Sequence, residues 1–403
     1  MYKDLFRRAL NIDDPWVLTK IDFDPDEKQI DIYLDFVPGT RFKCPVCNNP
    51  ECPAYDTKEK VWRHLSFFQH KAFLHCRVPR VECGKCGIHQ IEIPWAREYS
   101  GFTLLMDAMI MTMAQSMQMS EIASKIDEQD TRIWRVVDYY TEEARSREDL
   151  VDVTVIGIDE TSCTKGHKYV TLVVDFDTSR VIHVCGGKDS STLSSFKEDY
   201  QIHGGNPDNI CSVCCDMSPA FISGIKTEFP SASITFDKFH VMKIVNEGID
   251  AVRREEVATN QCLKNTRYLW LKNPDNLTEK QKITLGSLKD MNLKTVRAYN
   301  LKLSLQIFWS IEERGVAEQY LKRWYFWATH SRLQPMIDAA KTIKRHWNGI
   351  LNYFDSRITN GILEGINSVV QLLKRSARGY RNIQNFMTMI YLRLGHLDFQ
   401  LPT

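Results

Sequence analysis

A chain of 403 residues that is 43% hydrophobic and 26% charged can build several full cores, which excludes a disordered or low-complexity protein. Its 52 Lys and Arg against 51 Asp and Glu exclude a global basic excess, so any grip on nucleic acid must come from local patches. The 12 cysteines follow a first segment, MYKDLFRRAL, without an apolar core, which argues against a secreted disulfide scaffold and for a reducing cytoplasm.

In chain order, residues 1–43 are expected to form a short β-rich lead-in, because 16–18 and 30–36 alternate apolar and polar as half-buried strands do. Residues 44–100 read as a zinc-binding ribbon. Cys44-Pro-Val-Cys47 and Cys83-Gly-Lys-Cys86 are two knuckles, each turning two thiolates to one side, and together they complete a closed tetrahedral site for structural Zn²⁺. A strand-like stretch at 72–78 suits a long hairpin between the knuckles. Cys52, Cys76, His64, His70, His75 and His89 are alternative ligands, ranked behind the paired knuckles.

Residues 101–150 are predicted to hold three helices, over 102–119, 120–126 with Ser120 as N-cap, and 131–147. The first is interrupted by Asp107, Gln115 and Ser116, which marks a buried helix rather than a membrane span. A short helix, a turn and a helix carrying Arg132 and Arg135 make a helix-turn-helix pattern, with those two arginines as DNA contacts. The alternative is a linker bundle.

From 151 to 240 the pattern is three strands, then a helix, a strand, a helix and a strand. The run VTVIGIDE at 153–160 is expected as a buried strand ending on Asp159, and open α/β sheets place ligands beyond such strand ends. Strands over 169–176 and 180–185 complete a meander, and a strand at 210–215 ends at Asp216. A last strand, 233–236, runs into Asp237-Lys-Phe-His240. This order is that of an RNase H-like fold, with Asp159 and Asp216 in its two carboxylate positions. Glu160 and Asp152 are weaker candidates, Asp175 and Asp177 read as turn residues, and His240 as a site-lining or core histidine.

Residues 241–350 are helical. Trp270, Trp309, Trp324, Trp327 and Trp347 there are candidates for base stacking or, more commonly, helix packing. In 351–403 Thr359 or Asn360 is expected to cap a helix through Leu373, with Glu364 in its first turns and Asn367 and Gln371 on a similar face. Lys374, Arg375, Arg378 and Arg381 follow, suited to phosphates, though a helix C-terminus also favours cations.

Four features together resemble a bacterial insertion-sequence transposase of the insertion sequence L-three family: GIDE at 157–160, the strand ending in Asp216, Asp237-Lys-Phe-His240, and NGILEGINSVVQLLKRSARGYRN at 360–382. The resemblance covers nearly the whole chain. It implies a multidomain α+β and α/β protein, with a zinc ribbon, a helix-turn-helix, and an RNase H-like catalytic domain interrupted by an all-helical insertion at 241–350. It also implies a DDE triad of Asp159, Asp216 and Glu364 holding two Mg²⁺, with Asp237 and His240 as the associated signature. The partners implied are double-stranded DNA, as terminal inverted repeats and target, and further copies of the chain in a homodimer or larger assembly. The place implied is the bacterial cytoplasm at the nucleoid. Two competing functions are a zinc-containing DNA-binding regulator on a decayed scaffold and a structure-specific nuclease that cuts without joining. Intact acids oppose the first, and joining of a 3′-hydroxyl separates the second.

Overall fold

The computed structural model describes residues 2–164, 168–358 and 361–402, so the cap expected at Thr359 or Asn360 lies outside the described residues. The chain divides into two compact units, Met1–Glu143 with Asp398–Thr403, and Ala144–Leu397.

The first unit opens with α1 (Tyr2–Ala9), a helix not foreseen from the sequence. The strands β1 (Trp16–Asp24), β2 (Gln29–Phe36), β3 (Arg41–Phe42), β4 (Cys52–Phe67), β5 (His70–Cys83) and β6 (Gly87–Gln90) form one sheet. Its order is β1-β2-β5-β4-β3, with β6 on β5. The boundary expected at residue 43 therefore falls inside this sheet. The physical reason is period-two patterning: Ile30, Ile32 and Leu34 of β2 pair with Ala72, Leu74 and Cys76 of parallel β5, and all six are buried in one core. The long β4–β5 hairpin occupies the place expected between the knuckles.

Helices α2 (Leu104–Ala114), α3 (Met119–Ile126) and α4 (Asp130–Ser146) follow. Thr103 caps α2 by accepting the Met106 N–H. At α3 the cap position is Gln118, without a side-chain bond, so Ser120 lies within the helix rather than capping it. Buried Met119 is the reason: it belongs to the apolar face with Ile122 and Ala123, which draws the helix start one residue earlier.

The second unit is built on β7 (Val155–Thr164), β8 (Lys168–Asp175), β9 (Arg180–Gly186), β10 (Ser212–Cys215) and β11 (Ser233–Phe236), in spatial order β11-β10-β7-β8-β9. The first three are antiparallel, and β10 is parallel to both β7 and β11. Helices α5 (Ser191–Ile202) and α6 (Pro219–Glu228) make the crossovers. This is the RNase H-like arrangement. Asp175, expected as a turn residue, is instead the buried last residue of β8, where it accepts the Asp177 N–H and the Thr178 hydroxyl and so braces the turn that contains Asp177.

Helix α7 (Lys238–Val257) opens the insertion. It continues through α8 (Arg267–Leu271), α9 (Glu279–Lys289), α10 (Lys294–Phe308), α11 (Arg314–Thr329), α12 (Gln334–Arg345), α13 (Trp347–Leu351) and α14 (Tyr353–Ser356). Trp270, Trp324 and Trp347 are buried core, whereas Trp327 is 45% exposed. Two buried charges pin the insertion. The Glu256 carboxylate accepts the Lys294 N–H, the Thr295 N–H and the Thr295 hydroxyl, each at 2.8 Å, and so caps α10. Lys302 Nζ donates to the carbonyls of Trp270, Leu271 and Lys272 at 2.7–3.0 Å, closing the end of α8.

Helix α15 (Gly361–Ser376) buries Leu363, Ile366, Val370 and Leu373, the i, i+3, i+7, i+10 stripe of an amphipathic helix. A further helix not foreseen, α16 (Ile383–Leu394), covers β9, where the Val184 N–H donates to the Tyr391 hydroxyl at 2.7 Å. Among the described residues no helix is long and apolar enough to cross a membrane.

Candidate active site and metal centre

Asp159 and Asp216 are brought together by strand register. Val155, Ile156 and Gly157 of β7 pair with Ser212, Val213 and Cys214 of parallel β10. Two residues beyond the last pair on each strand stand Asp159 and Asp216, side by side on neighbouring strands that run ~4.8 Å apart. The expected end of the first strand is corrected here. β7 continues past Asp159 to Thr164 because β8 keeps pairing with it, Asp159 opposite Leu172 and Ser162 opposite Tyr169. It is β10 that stops, and its shortness leaves one edge of β7 open for the site.

Helix α15 lies along that open edge. The Asn367 amide donates to Asp159 Oδ2. Gln371 Nε2 donates to Thr161 Oγ1 at 2.7 Å, and Lys374 Nζ to the Ser162 carbonyl at 2.6 Å and its hydroxyl at 3.0 Å. These steps of four and three residues are one helix face. Glu364 stands one turn earlier on that face, and its side chain is exposed. Gly157 permits the close approach: a Cβ there would lie 2.6 Å from Phe176 Cε2 and 2.9 Å from Leu363 Cδ2.

Burial raises the Asp159 carboxyl above the ordinary carboxylate value and the neighbouring Asp216 adds to this, while the Glu160 N–H, Asn367 and His240 oppose it. Burial also raises Glu160. Asp237 accepts the Phe239 N–H at 2.8 Å as the N-cap of α7, and its other oxygen holds His240 Nδ1 at 2.8 Å. That hydrogen bond raises the His240 pKa against the effect of burial, with Asp216 and Asp159 contributing. His240 is half-buried, with its ring held by Asp237. Asn367 was visible in the sequence only as a position beside Glu364. Its Oδ1 is buried and meets no hydrogen-bond partner among the described residues.

In the first unit Cys44, Cys47, Cys83 and Cys86 place their sulfurs within 4.8 Å of one another. Cys47 and Cys83 are 3.6 Å apart, close to the ~3.8 Å edge of a tetrahedron with ~2.3 Å Zn–S bonds. The N–H groups of Lys85 and Cys86 lower the Cys83 thiol, whereas contact with Cys47 raises that of Cys86, as expected of thiols crowded together. The alternatives are otherwise engaged. Cys52 points its thiol at the Asn49 carbonyl, and burial raises it. Cys76 is sheet core. His64 bonds Thr103, His75 bonds Asp31, His89 holds the Cys86 carbonyl, and His70 packs on Phe23. Among the described residues this quartet is the one group of three or more such ligands gathered so tightly, and the three acids are spread more widely.

The family model for the ISL3 transposase domain, described as Transposase, matches residues 156–390, more than half of the chain and all of the acid site. The chain belongs to the ISL3 family of transposases. The helix-turn-helix domain of transposase family ISL3 matches residues 91–141 of this transposase. The zinc-finger of transposase IS204/IS1001/IS1096/IS1165 matches 40–86, which contains the cysteine quartet and supports structural zinc. The chain is 27% identical, over 97% of its length and 96% of the relative's, to the transposase for insertion sequence element IS1557 of Mycobacterium tuberculosis. It is 29% identical to the transposase for IS1001 of Bordetella parapertussis, over 86% of this chain and 87% of that one.

Of the cations expected to touch DNA, Arg135, Arg375, Arg378 and Arg381 are exposed. Lys374, Arg375, Arg378 and Arg381 line a groove of about 830 Å³ with Gln371 and Tyr380. Arg132 is placed differently. It pairs with Glu128 at 2.5 Å, donates to the Gly101 carbonyl at 3.1 Å and covers the Phe102 ring. Through Glu128 and Gly101 it braces the helix-turn-helix, with its side chain partly exposed. Lys374 likewise uses its ammonium to hold α15 on β7.

Proposed function

We propose that this transposase binds the ends of an insertion sequence and carries out Mg²⁺-dependent strand cleavage and strand transfer with Asp159, Asp216 and Glu364. The observation that supports this most directly is the register of β7 and β10, which sets Asp159 beside Asp216, with α15 keyed to Asp159 through Asn367. Oxygen donors from three carboxylates suit hard divalent ions. Asp159, Asp216 and Glu364 would hold two Mg²⁺, which would supply stabilisation of charge on the attacking and leaving oxygens.

The remaining work falls to the protein. Asn367 fixes one Asp159 oxygen so that the carboxylate cannot swing. The exposed arginines after α15 grip phosphates and orient the strand. In the first step water attacks phosphorus, the bond to the 3′-oxygen breaks, and a 3′-hydroxyl and a 5′-phosphate result. In the second that 3′-hydroxyl attacks a target phosphodiester and expels another 3′-hydroxyl, so one ester bond forms as one breaks and no ATP is needed. The helix-turn-helix and zinc sheet supply end binding, and holding two ends calls for a homodimer or larger assembly.

The test is a Mg²⁺ assay with labelled element ends and a target plasmid, run beside Glu364→Ala. Cleavage and joining that vanish in the variant while end binding persists are the expected result. Binding without cleavage by the parent, in Mg²⁺ and Mn²⁺ alike, would favour a regulator.

A further inference from the structure

A cleft of about 1080 Å³ lies between α7, α8 and α10, and the proposed chemistry does not use it. Lys238, Lys243, Arg253, Arg254 and Arg267 line it against two acids, Glu247 and Asp250. The Asp250 carboxylate sits 2.7 Å from Arg253, 3.5 Å from Arg254 and 3.4 Å from Arg267. One carboxylate cannot neutralise three guanidiniums. It gathers them, and their mutual repulsion is relieved by an incoming anion.

The cleft also offers apolar and hydrogen-bonding surface. Phe239 lines it and is 46% exposed. Asn246 and Trp309 also line it, although Asn246 Oδ1 and Trp309 Nε1 are themselves buried and meet no hydrogen-bond partner among the described residues. Cations for phosphates and an exposed aromatic face for a base are what an unstacked nucleotide needs. The volume, about 1080 Å³, lies just above the ~300–1,000 Å³ range of ligand pockets, room for a few nucleotides of one strand and too little for a duplex. Its mouth is tied to the acid site: the Asp237 N–H donates at 3.1 Å to the carbonyl of Cys215, the residue before Asp216, and Lys238 and Phe239 follow directly.

We infer that this cleft receives a short unpaired stretch of the DNA strand that is being cut, with phosphates on the arginine wall and a base against Phe239. The inference rests on the transposase reading of the acid site. Opening a few base pairs has a cost, which these contacts offset.

The test is fluorescence anisotropy with the full zinc-loaded chain in Ca²⁺ and without Mg²⁺ or chelator, using a blunt duplex of the element end, the same duplex with an unpaired flank, and an oligothymidylate. Two variants are compared with the parent, Phe239→Ala and the exposed pair Lys243→Glu with Arg267→Glu, each checked for a melting temperature within about 2 °C of the parent. The parent is expected to bind the flanked duplex about tenfold tighter than the blunt one, the value of one base–aromatic stack. Both variants are expected to lose that advantage and their oligothymidylate affinity while holding blunt duplex as the parent does. A parent with no preference for the flank, or variants that weaken equally on all three probes, would overturn the inference. A chain that prefers the flank yet never cuts in Mg²⁺ keeps the cleft and discards the transposase reading. A chain that cuts and joins without flank preference does the reverse.

Discussion

Replacing Gly157 by alanine tests whether the seating of α15 on β7 controls the acid site. The new Cβ would meet Phe176 Cε2 at 2.6 Å and Leu363 Cδ2 at 2.9 Å, where carbon contacts settle at ~3.5–4.0 Å. The neighbours must therefore give way by about 1 Å. Leu363 is only 2% exposed and adjoins Glu364, so relief comes by moving the helix that carries the third acid. Overpacking of this kind costs ~1–3 kcal/mol. At ~2–4 °C per kcal/mol for a domain of this size, the melting temperature falls by roughly 2–12 °C. A displacement of ~1 Å at reacting groups costs about 100-fold in rate. The assay is thermal melting beside Mg²⁺-dependent end cleavage at saturating DNA. Cleavage down about 100-fold with end binding within about twofold is expected. Gly365→Ala is the control: its Cβ would meet nothing within 4 Å, and alanine in a helix interior gains up to ~1 kcal/mol. Parent-level cleavage and melting by Gly157→Ala would refute the reasoning, as would a Gly365→Ala defect of equal size.

Other outcomes follow from the same contacts. Asn367→Ala, which frees the Asp159 carboxylate, is expected to lower cleavage ~10–100-fold and to shift its Mg²⁺ requirement upward, with end binding kept; an unchanged Mg²⁺ titration would count against it. Cys83→Ser removes one corner of the quartet, and elemental analysis of the purified protein should show zinc lost together with end recognition; full zinc content would defeat the assignment. Glu256→Ala leaves the buried N–H groups at the start of α10 without their acceptor, so a loss of ~2–4 kcal/mol in urea unfolding is expected, and an unchanged midpoint would contradict it. Burial holds the His64 pKa down to about 4, below its unfolded value near ~6.5. The folded state then takes up its proton later than the unfolded one. Stability is full above pH ~6.5 and declines toward pH ~4 by up to about 3 kcal/mol. His64→Gln should flatten that slope, and parallel pH curves for parent and variant would exclude it.

The order of strands and helices around Asp216, and the two cysteine knuckles, were legible because local patterning carries them. A strand's apolar run and a CxxC turn are properties of a few adjacent residues. What was not legible depends on partners distant in the chain. Asp159 reads as a strand end, but whether β7 stops there is decided by how far β8 and β10 pair with it. Arg132 reads as a DNA contact until Gly101 and Phe102, from a preceding segment, take its face. Asn367 acquires meaning only with the register of α15 on β7. The helix α16 follows directly on the basic run, where charge drew attention from an amphipathic segment that covers β9.

The order in which the acids occur along the chain has a consequence for synthesis. About 200 residues separate positions 159 and 364, and more than half of them lie in the segment from the start of α7 to the end of α14. At ~5–20 residues per second, a ribosome needs roughly 10–40 s to pass from one to the other. Once β11 has emerged, the chain holds the zinc sheet, the helix-turn-helix and all five strands of the second sheet, but not α15. A message broken anywhere in the insertion therefore yields a product with its end-binding parts and two of its three proposed acids. Such a fragment would occupy the element's ends without cutting them, so the gene's own truncated products would act as competitors of the intact protein.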